Sequence, residues 1–414
     1  FDNPPLKQWK ERYNFEPSKE WLDNVRLASP KVNGSSAGFV SPNGLIATNH
    51  HVAAGYIERV SSKERDLLKT GFYAGSQAAE LKIPDASASV LVAFDNVTDR
   101  VHSAATAGKT DAEMAAKRTA EISAIEKDCT ATAGGLNCQV VSFYSGGEYW
   151  LYKSKIYRDI RLVMAPEEQA AFFGGDYDNF VFPRHDLDFT FLRAYENDKP
   201  AATPNYFKWS EKGAADGEFI LVSGYPGSTA RLLTVSQLTY QRDIGNPLQK
   251  KVWELRRKAL ENYSKKGDEQ HRQAWPGMRG FANSLKRLEG QQDGLLNPRN
   301  YGQKVAEEKD LRDKLAAKPE LDKQFAPAWK NIGDAYAKLP AMANRLAFSN
   351  ISASRLASIA QQLVTYSIEA AKPNDLRYPE FRDTRLEAIK SSLASPAPIY
   401  LDMEEASLLF WMEE

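Results

Sequence analysis

Cysteine and histidine are both scarce in this chain. Its 414 residues include two cysteines and five histidines, and a structural zinc site needs four such ligands close together. The cysteines, Cys129 and Cys138, stand nine positions apart across a Gly134-Gly135 turn, with no His or second Cys pair nearby, so we predict no zinc site there and no metal. This spacing favours a small disulfide loop of the kind found in secreted or periplasmic proteins, and two free buried thiols are the alternative.

Excess charge and long apolar runs are missing too. Lys+Arg and Asp+Glu both number 54, which gives a formal net charge of zero. Binders of nucleic acid or of anionic membranes usually carry net positive charge, so we predict neither partner. No apolar run approaches the ~18–20 residues of a membrane-spanning helix. The chain begins at Phe1 rather than at Met, as expected of a processed or trimmed chain whose signal peptide has been removed.

The hydrophobic pattern of the first half predicts β-structure. From about Val32 to Thr234, short apolar runs alternate with turn residues, and a Pro42-Asn43-Gly44 turn within 38–49 predicts a hairpin. An Ala/Glu/Lys-rich stretch at Asp111–Asp128 predicts one inserted helix, and Glu58–Lys69 a second. Further strands are predicted at Ala88–Phe94, Gln139–Phe143, Ile160–Met164, Phe189–Leu192 and Phe219–Val222.

The second half has a helical pattern. After about Tyr240, apolar residues recur at three- and four-residue steps in sequence rich in Leu, Ala, Lys, Glu and Arg. Proline positions, including Pro276-Gly277, are expected to divide it into helices of ordinary length. We therefore predict a β region over 1–240 and a helical region over 241–414.

Two of the five histidines stand together in A-T-N-H-H-V-A-A (47–54), after the predicted hairpin. A strand end that delivers a histidine into a short turn can present a general base from a rigid scaffold. His50 and His51 are not expected to share a metal, because neighbouring strand residues point to opposite faces. The alternative is a structural or surface histidine pair.

An aspartate opens a second motif. Asp188 begins the alternating run Asp188-Phe189-Thr190-Phe191-Leu192, where a half-buried carboxylate could accept a hydrogen bond from an imidazole Nδ1–H. Such a bond fixes the tautomer and stabilises the imidazolium that forms during catalysis. The alternative is an aspartate that only caps the strand. Asp176 and Asp178 begin like a calcium loop, but the later ligands and the closing Glu are absent.

Together these motifs resemble a known family. T-N-H-H-V and D-F-T-F-L are similar to the His and Asp motifs of chymotrypsin-like serine peptidases. With G-G-D-Y-D-N-F-V-F-P-R-H-D-L-D-F-T-F-L-R-A-Y and G-Y-P-G-S-T-A-R-L-L-T (224–234), the chain resembles the bacterial dipeptidyl-peptidase 7 and dipeptidyl-peptidase 11 family. Its members are chymotrypsin-fold serine exopeptidases of the periplasm, with a helical domain inserted between two barrels. They release dipeptides from the free N-termini of oligopeptides.

The resemblance implies a fold and a set of site residues. The fold is β plus α: a chymotrypsin-like first barrel region over 1–240, then the helical domain over 241–414, with the second barrel missing. The implied roles are His51 as general base, Asp188 as its orienting carboxylate, Asn179 as a ligand of the substrate's amine, Phe180 as an aromatic wall and Asn283 as a second amine ligand. The implied partners are oligopeptides with a free N-terminus and a second copy of the chain in a homodimer, with no cofactor.

The sequence lacks a serine in the setting that a catalytic nucleophile needs. Ser36 lies in a formal G-x-S-x-G, but a hairpin strand follows it rather than a helix, and Ser228 follows a barrel strand without a phosphate-loop lysine. We interpret both as structural and expect the catalytic serine beyond residue 414. Two alternatives stay open: a non-catalytic peptide-binding relative, and a trypsin-like endopeptidase, which would have no helical insertion.

Overall fold

The computed structural model describes residues 3–172, 180–183, 185–227, 232–348 and 353–413. The chain forms two compact units, each built from separate stretches of sequence. The first unit comprises Phe1–Phe172, His185–Pro226 and Gln362–Pro398, and the second comprises Phe173–Arg184, Gly227–Gln361 and Ile399–Glu414. The strands lie in the first unit and most of the helical sequence lies in the second, so the β-plus-α class is confirmed.

Two antiparallel sheets form the first unit. One has the strand order β2-β1-β7-β9-β8, and the other has the order β3-β4-β11-β10-β5, with β12 beside β11 and β6 beside β10. The strands are β1 (Lys31–Val32), β2 (Ser35–Ser36), β3 (Gly38–Phe39), β4 (Leu45–Thr48), β5 (Phe72–Tyr73), β6 (Leu81–Lys82), β7 (Ala88–Asn96), β8 (Asn137–Phe143), β9 (Glu148–Tyr157), β10 (Asp159–Ala165), β11 (Thr190–Glu196) and β12 (Lys199–Pro200).

Strand β11 lies at the centre of the second sheet. Its residues Thr190, Leu192 and Ala194 are fully buried, as the period-2 pattern of a strand requires. Leu192 lies opposite Ile46 of β4 and Leu162 of β10, and all three side chains are 0% exposed. This register joins the His-bearing and Asp-bearing segments of the chain through one core.

Helices α3 and α4 of the first unit pack into this core. Helix α3 contributes Ala53 and Ile57 to the same buried cluster as Ile46 and Leu192. The helices of the first unit are α1 (Leu6–Tyr13), α2 (Lys19–Leu27), α3 (His50–Arg59), α4 (Leu67–Thr70), α5 (Thr98–Thr106), α6 (Asp111–Thr132), α7 (Glu168–Ala171) and α16 (Asp383–Leu393).

The predicted hairpin, the inserted helix and the disulfide are confirmed. The turn between β3 and β4 depends on Gly44, whose φ is +70° and where a Cβ would lie 2.6 Å from the carbonyl oxygen of Ala194. The disulfide joins Cys129 of α6 to Cys138 of β8. Both cysteines are buried in a second apolar cluster with Ile125. The bond therefore fastens the inserted helix to the edge of the first sheet.

Two local predictions were wrong. Phe219–Val222 forms no strand, because its aromatic end is used in packing: Phe219 stacks on Tyr13 with ring centroids 4.3 Å apart. The helix expected over Glu58–Lys69 ends at Arg59 and a short one restarts at Leu67. There, Asp66 caps the new helix by accepting a hydrogen bond from the backbone of Lys69.

The second unit is helical, and one predicted break in it was also wrong. Helix α10 continues through Pro276. The adjacent Gly277 lets α9 approach closely, since a Cβ there would lie 2.7 Å from Leu260 Cδ1. Packing against α9 therefore compensates for the one hydrogen bond that Pro276 removes. The remaining helices are α8 (Val235–Tyr240), α9 (Asn246–Ser264), α10 (Asp268–Leu296), α11 (Pro298–Ala316), α12 (Pro319–Phe325), α13 (Pro327–Tyr336), α14 (Ala343–Phe348), α15 (Arg355–Ala370, which extends into the first unit) and α17 (Leu401–Glu413).

Membrane-spanning helices were not expected, and the helices in the described parts of the chain include none that is both long and apolar enough to cross a bilayer.

A buried charge cluster stabilises the sheet of β11. Arg193 Nε donates to Glu80 Oε1 at 2.9 Å, and the Tyr195 hydroxyl donates to Glu80 Oε2 at 2.8 Å. The Glu80 side chain is only 2% exposed. Arg193 also donates to the backbone oxygen of Asn43 in the hairpin turn. Burial and the bond to Glu80 raise the pKa of Tyr195 to about 12. The cluster therefore ties the hairpin turn to the central strand.

This cluster predicts a graded loss of stability. Glu80→Gln removes the buried carboxylate that pairs with the partly buried guanidinium of Arg193, and it should lower the free energy of unfolding by about 3–5 kcal/mol. Tyr195→Phe removes one neutral donor and should cost about 1 kcal/mol. Urea unfolding of the two variants beside the parent chain measures both values. Equal losses, or a stable Glu80→Gln variant, would show that this ion pair does not hold the sheet together.

Candidate active site

The His and Asp motifs meet at one end of the second sheet. Strand β4 ends at Thr48, which lies opposite Thr190 at the start of β11. Asn49 is the N-cap of helix α3, which begins at His50. Because the two strands run antiparallel, the residue before β11 lies beside the first turn of α3. His51 is thus presented by a helix start, where the sequence had suggested a short turn after a strand.

Asp188 accepts several hydrogen bonds at this point. Its Oδ2 lies 2.6 Å from His51 Nδ1, and its Oδ1 accepts from the backbone N–H of His51 at 2.9 Å. Asn49 Nδ2 donates to Oδ2 at 3.0 Å and to the backbone oxygen of Asp188 at 3.2 Å. One carboxylate therefore orients the imidazole and also caps a free N–H of the helix, a role usually taken by the N-cap residue itself.

These bonds determine the charge state of the site. Burial would raise the pKa of Asp188, but the hydrogen bonds from the ring and backbone of His51 and from Asn49 outweigh it and lower that pKa. The carboxylate is then ionised at neutral pH and can only accept hydrogen bonds. The proton between the two groups consequently lies on His51 Nδ1, and Nε2 is the ring nitrogen that this contact leaves unused.

The two adjacent histidines differ sharply in environment. His50 is 0% exposed, whereas the side chain of His51 is 50% exposed. A group that takes a proton from another reactant must be reachable within hydrogen-bond distance. Of the pair, only His51 meets this condition, while His50 belongs to the interior.

Ser36 is held by a structural contact. Its Oγ accepts a hydrogen bond from the backbone N–H of Tyr225 at 2.6 Å. The loop approaches so closely that a Cβ at Gly224, where φ is +143°, would lie 2.3 Å from this Oγ. The interpretation of Ser36 as structural is therefore consistent with its contacts. Ser228 lies outside the described residues.

The other predicted site residues belong to the second unit or lie outside the residues that the structure describes. Asn179, Asp176 and Asp178 lie outside the described residues. Phe180 belongs to the second unit, with 65% of its surface exposed. Asn283 is half-buried on helix α10 of that unit. Within the parts of the chain that the structure describes, no group of three or more His, Cys, Asp or Glu side chains could hold a metal ion.

Sequence reasoning missed Asn49. Its side chain donates a hydrogen bond to the catalytic candidate Asp188. The sequence alone indicates only an ordinary N-cap residue beside the histidines. The only available signal was its position, two residues before His51 in T-N-H-H. Asparagine at the start of a helix is so common that this position alone indicates no link to a distant carboxylate.

Comparison with known proteins assigns this architecture to a family. The model of the peptidase S46 family matches residues 1–414. Dipeptidyl-peptidase 7 of Phocaeicola vulgatus is 29% identical over 305 residues, which cover 70% of this chain and 42% of that protein. The Asp/Glu-specific dipeptidyl-peptidase of Capnocytophaga gingivalis is 32% identical over 255 residues, which cover 59% of this chain and 36% of that protein. The matched segments thus cover less than half of the length of these relatives.

Solved structures agree on the fold. The crystal structure of Porphyromonas endodontalis DPP11 in complex with the dipeptide Arg-Glu matches with a TM-score of 0.72 and 22% identity. The match covers 98% of this chain and 60% of that one. With a family model that spans every residue from 1 to 414, the chain belongs to the peptidase S46 family.

Proposed function

We propose that this chain carries the base half of the active site of a serine-type dipeptidyl-peptidase. The observation that carries the proposal is the contact of 2.6 Å between His51 Nδ1 and Asp188 Oδ2, made by a half-exposed imidazole and an ionised carboxylate. This is the arrangement by which a serine hydroxyl is deprotonated in acyl transfer. Membership of the S46 family and the names of the relatives support the same activity.

The steps assigned to these residues follow from their geometry. His51 Nε2 takes the proton of the attacking serine and then returns it to the leaving amine. Asp188 keeps the proton on Nδ1 and stabilises the imidazolium, since its two oxygens hold both the ring and the backbone of His51. We place the nucleophilic serine and its oxyanion hole on sequence outside these residues, because the relatives are more than twice as long as the part that matches.

Substrate recognition is assigned to the amine end of the peptide. Asn179 and Asn283 would hold the free α-amine, and Phe180 would form a wall beside it, so that the cut falls after the second residue. The proposal also includes a chymotrypsin-like barrel region over residues 1–240, a helical domain over residues 241–414, a periplasmic or secreted location and a homodimer. A peptide-binding relative without activity and a trypsin-like endopeptidase are the competing functions that the experiments below separate.

The base role predicts an asymmetric response to histidine substitution. In the full-length parent protein, His51→Ala should lower kcat on dipeptidyl substrates by at least about 10⁴-fold. The matched control is His185→Ala, an exposed histidine of the first unit, which should leave kcat unchanged. A His51→Ala enzyme with ordinary turnover would remove His51 from the mechanism. A parent protein with no turnover at all would favour the binding relative.

The ionised state of Asp188 predicts a pH-dependent stability. A carboxyl whose pKa is lower in the folded than in the unfolded chain stabilises the fold above the unfolded value of about 3.9. That contribution is lost as the pH falls through the folded pKa. The difference in unfolding free energy between the parent chain and Asp188→Asn should therefore be greatest near pH 7 and shrink below about pH 4. Denaturant unfolding across this range measures it, and a constant difference would contradict the lowered pKa.

Recognition of the amine predicts a requirement for a free N-terminus. Acetylation of the substrate should remove most of kcat/KM. Asn179→Ala should lower kcat/KM by about ten- to a hundred-fold on free peptides, the value of one hydrogen bond to a charged group, and by less on acetylated ones. Kinetics with paired free and acetylated peptides test this. If both peptides are cut equally fast, the endopeptidase takes the place of the exopeptidase.

A further inference from the structure

A second cleft in the first unit is lined by arginine. It has a volume of about 730 Å³, and its walls come from helix α6, strand β8 and residues 379–392 around helix α16. None of its lining residues belongs to the candidate active site. Its charged side chains are those of Arg118, Arg382, Arg385, Glu126 and Glu380, so cations outnumber anions.

Arg382 is the most deeply buried of the charged side chains that line this cleft. It is only 3% exposed, and its Nε is buried without a hydrogen-bond acceptor among the residues that the structure describes. Its Nη1 forms an ion pair with Glu126 Oε2 at 3.7 Å, a separation longer than that of a hydrogen bond. The other oxygen of Glu126 already accepts from the backbone N–H of Val140 at 2.9 Å. Glu126 therefore offsets only part of the buried charge.

The guanidinium of Arg385 is close enough to that of Arg382 for their charges to interact. Burial lowers the pKa of Arg382, and the charge of Arg385 lowers it further while Glu126 and Glu380 act in the opposite sense. Arg118, half-buried on α6, lines the same cleft. Cations brought together in a partly dry site repel one another unless an anion lies between them. Three guanidinium groups and only two carboxylates line the cleft, so an excess of one positive charge remains for an added anion to offset.

The chemistry of the lining defines that group. Guanidinium forks bind planar or tetrahedral oxyanions through paired N–H bonds, and they suit carboxylate and phosphate. Thr119, Gln139 and Ser392 add neutral hydrogen-bonding groups to the walls. The volume lies within the range of small-molecule sites. We propose that this cleft binds a small oxyanion of the carboxylate or phosphate class, at a site separate from His51 and Asp188.

Calorimetric titration of the 414-residue chain tests the proposal with two probes, inorganic phosphate and citrate, at constant ionic strength set by sodium chloride. At least one probe should bind saturably. Arg118→Gln and Arg385→Gln should each weaken that binding by about ten-fold, the effect of one charge-assisted hydrogen bond. The matched control is Arg12→Gln, the same change at an exposed residue of α1, which should leave the affinity unchanged.

Each outcome decides the proposal or the source of the anion. Binding of phosphate alone would identify a phosphate site, and binding of citrate alone a carboxylate site. Absence of saturable binding by both probes would overturn the proposal, and so would an equal loss in Arg12→Gln, since that loss would reflect general surface charge. Far-ultraviolet circular dichroism of each variant shows that the fold is intact. The partly exposed Arg118 and Arg385 are chosen because replacing the buried Arg382 could itself unfold the chain.

Discussion

The carboxylate of Asp188 is the contact on which the candidate site depends. It accepts bonds from the ring and the backbone of His51 and from the side chain of Asn49. Through these bonds one side chain fixes where helix α3 starts, which way the imidazole turns and which ring nitrogen carries the proton. Removing the charge would weaken the bonds to the ring and to the backbone of His51 together, because one carboxylate accepts both.

The sheet beneath explains why this carboxylate is so well placed. The register of β4 against β11 puts Thr48 beside Thr190, so the last residues of one strand and the first of the other leave the sheet together. The core side chains under them, such as Ile46 and Leu192, are completely buried. A shift of one residue would turn these side chains outward and would also separate His51 from Asp188. Stability of the core and geometry of the site therefore share one constraint.

Much of the local structure could be predicted from the sequence, because the residues that determine it are neighbours in the chain. The turn at Gly44, the helix of α6 and the alternation of β11 could each be predicted from a short window. The pairing of His51 with Asp188, 137 residues apart, was predictable only because each lies in a motif of a known family. The cluster of Glu80 with Arg193 spans 113 residues without such a motif, so no sequence pattern indicated it.

The errors have equally physical causes. Phe219 begins an apolar run typical of a strand, yet its ring is used against Tyr13, a contact that periodicity does not encode. Pro276 suggested a helix end, but close packing at Gly277 against Leu260 keeps the helix continuous. In both cases tertiary contacts outweighed the local propensity, which is the strand propensity of the run that begins at Phe219 and the helix-breaking propensity of Pro276.

The hydrogen bond between His51 and Asp188 can be observed directly in this chain, without any turnover. Proton NMR of the chain with ¹⁵N-labelled histidine should show a strongly downfield Nδ1–H resonance assigned to His51. It should vanish in Asp188→Ala and persist in the control His102→Gln, because His102 bonds instead to the backbone of Gly146. A spectrum without this resonance, or one in which it survives Asp188→Ala, would contradict the orienting role of Asp188 and with it the proposed catalytic pair.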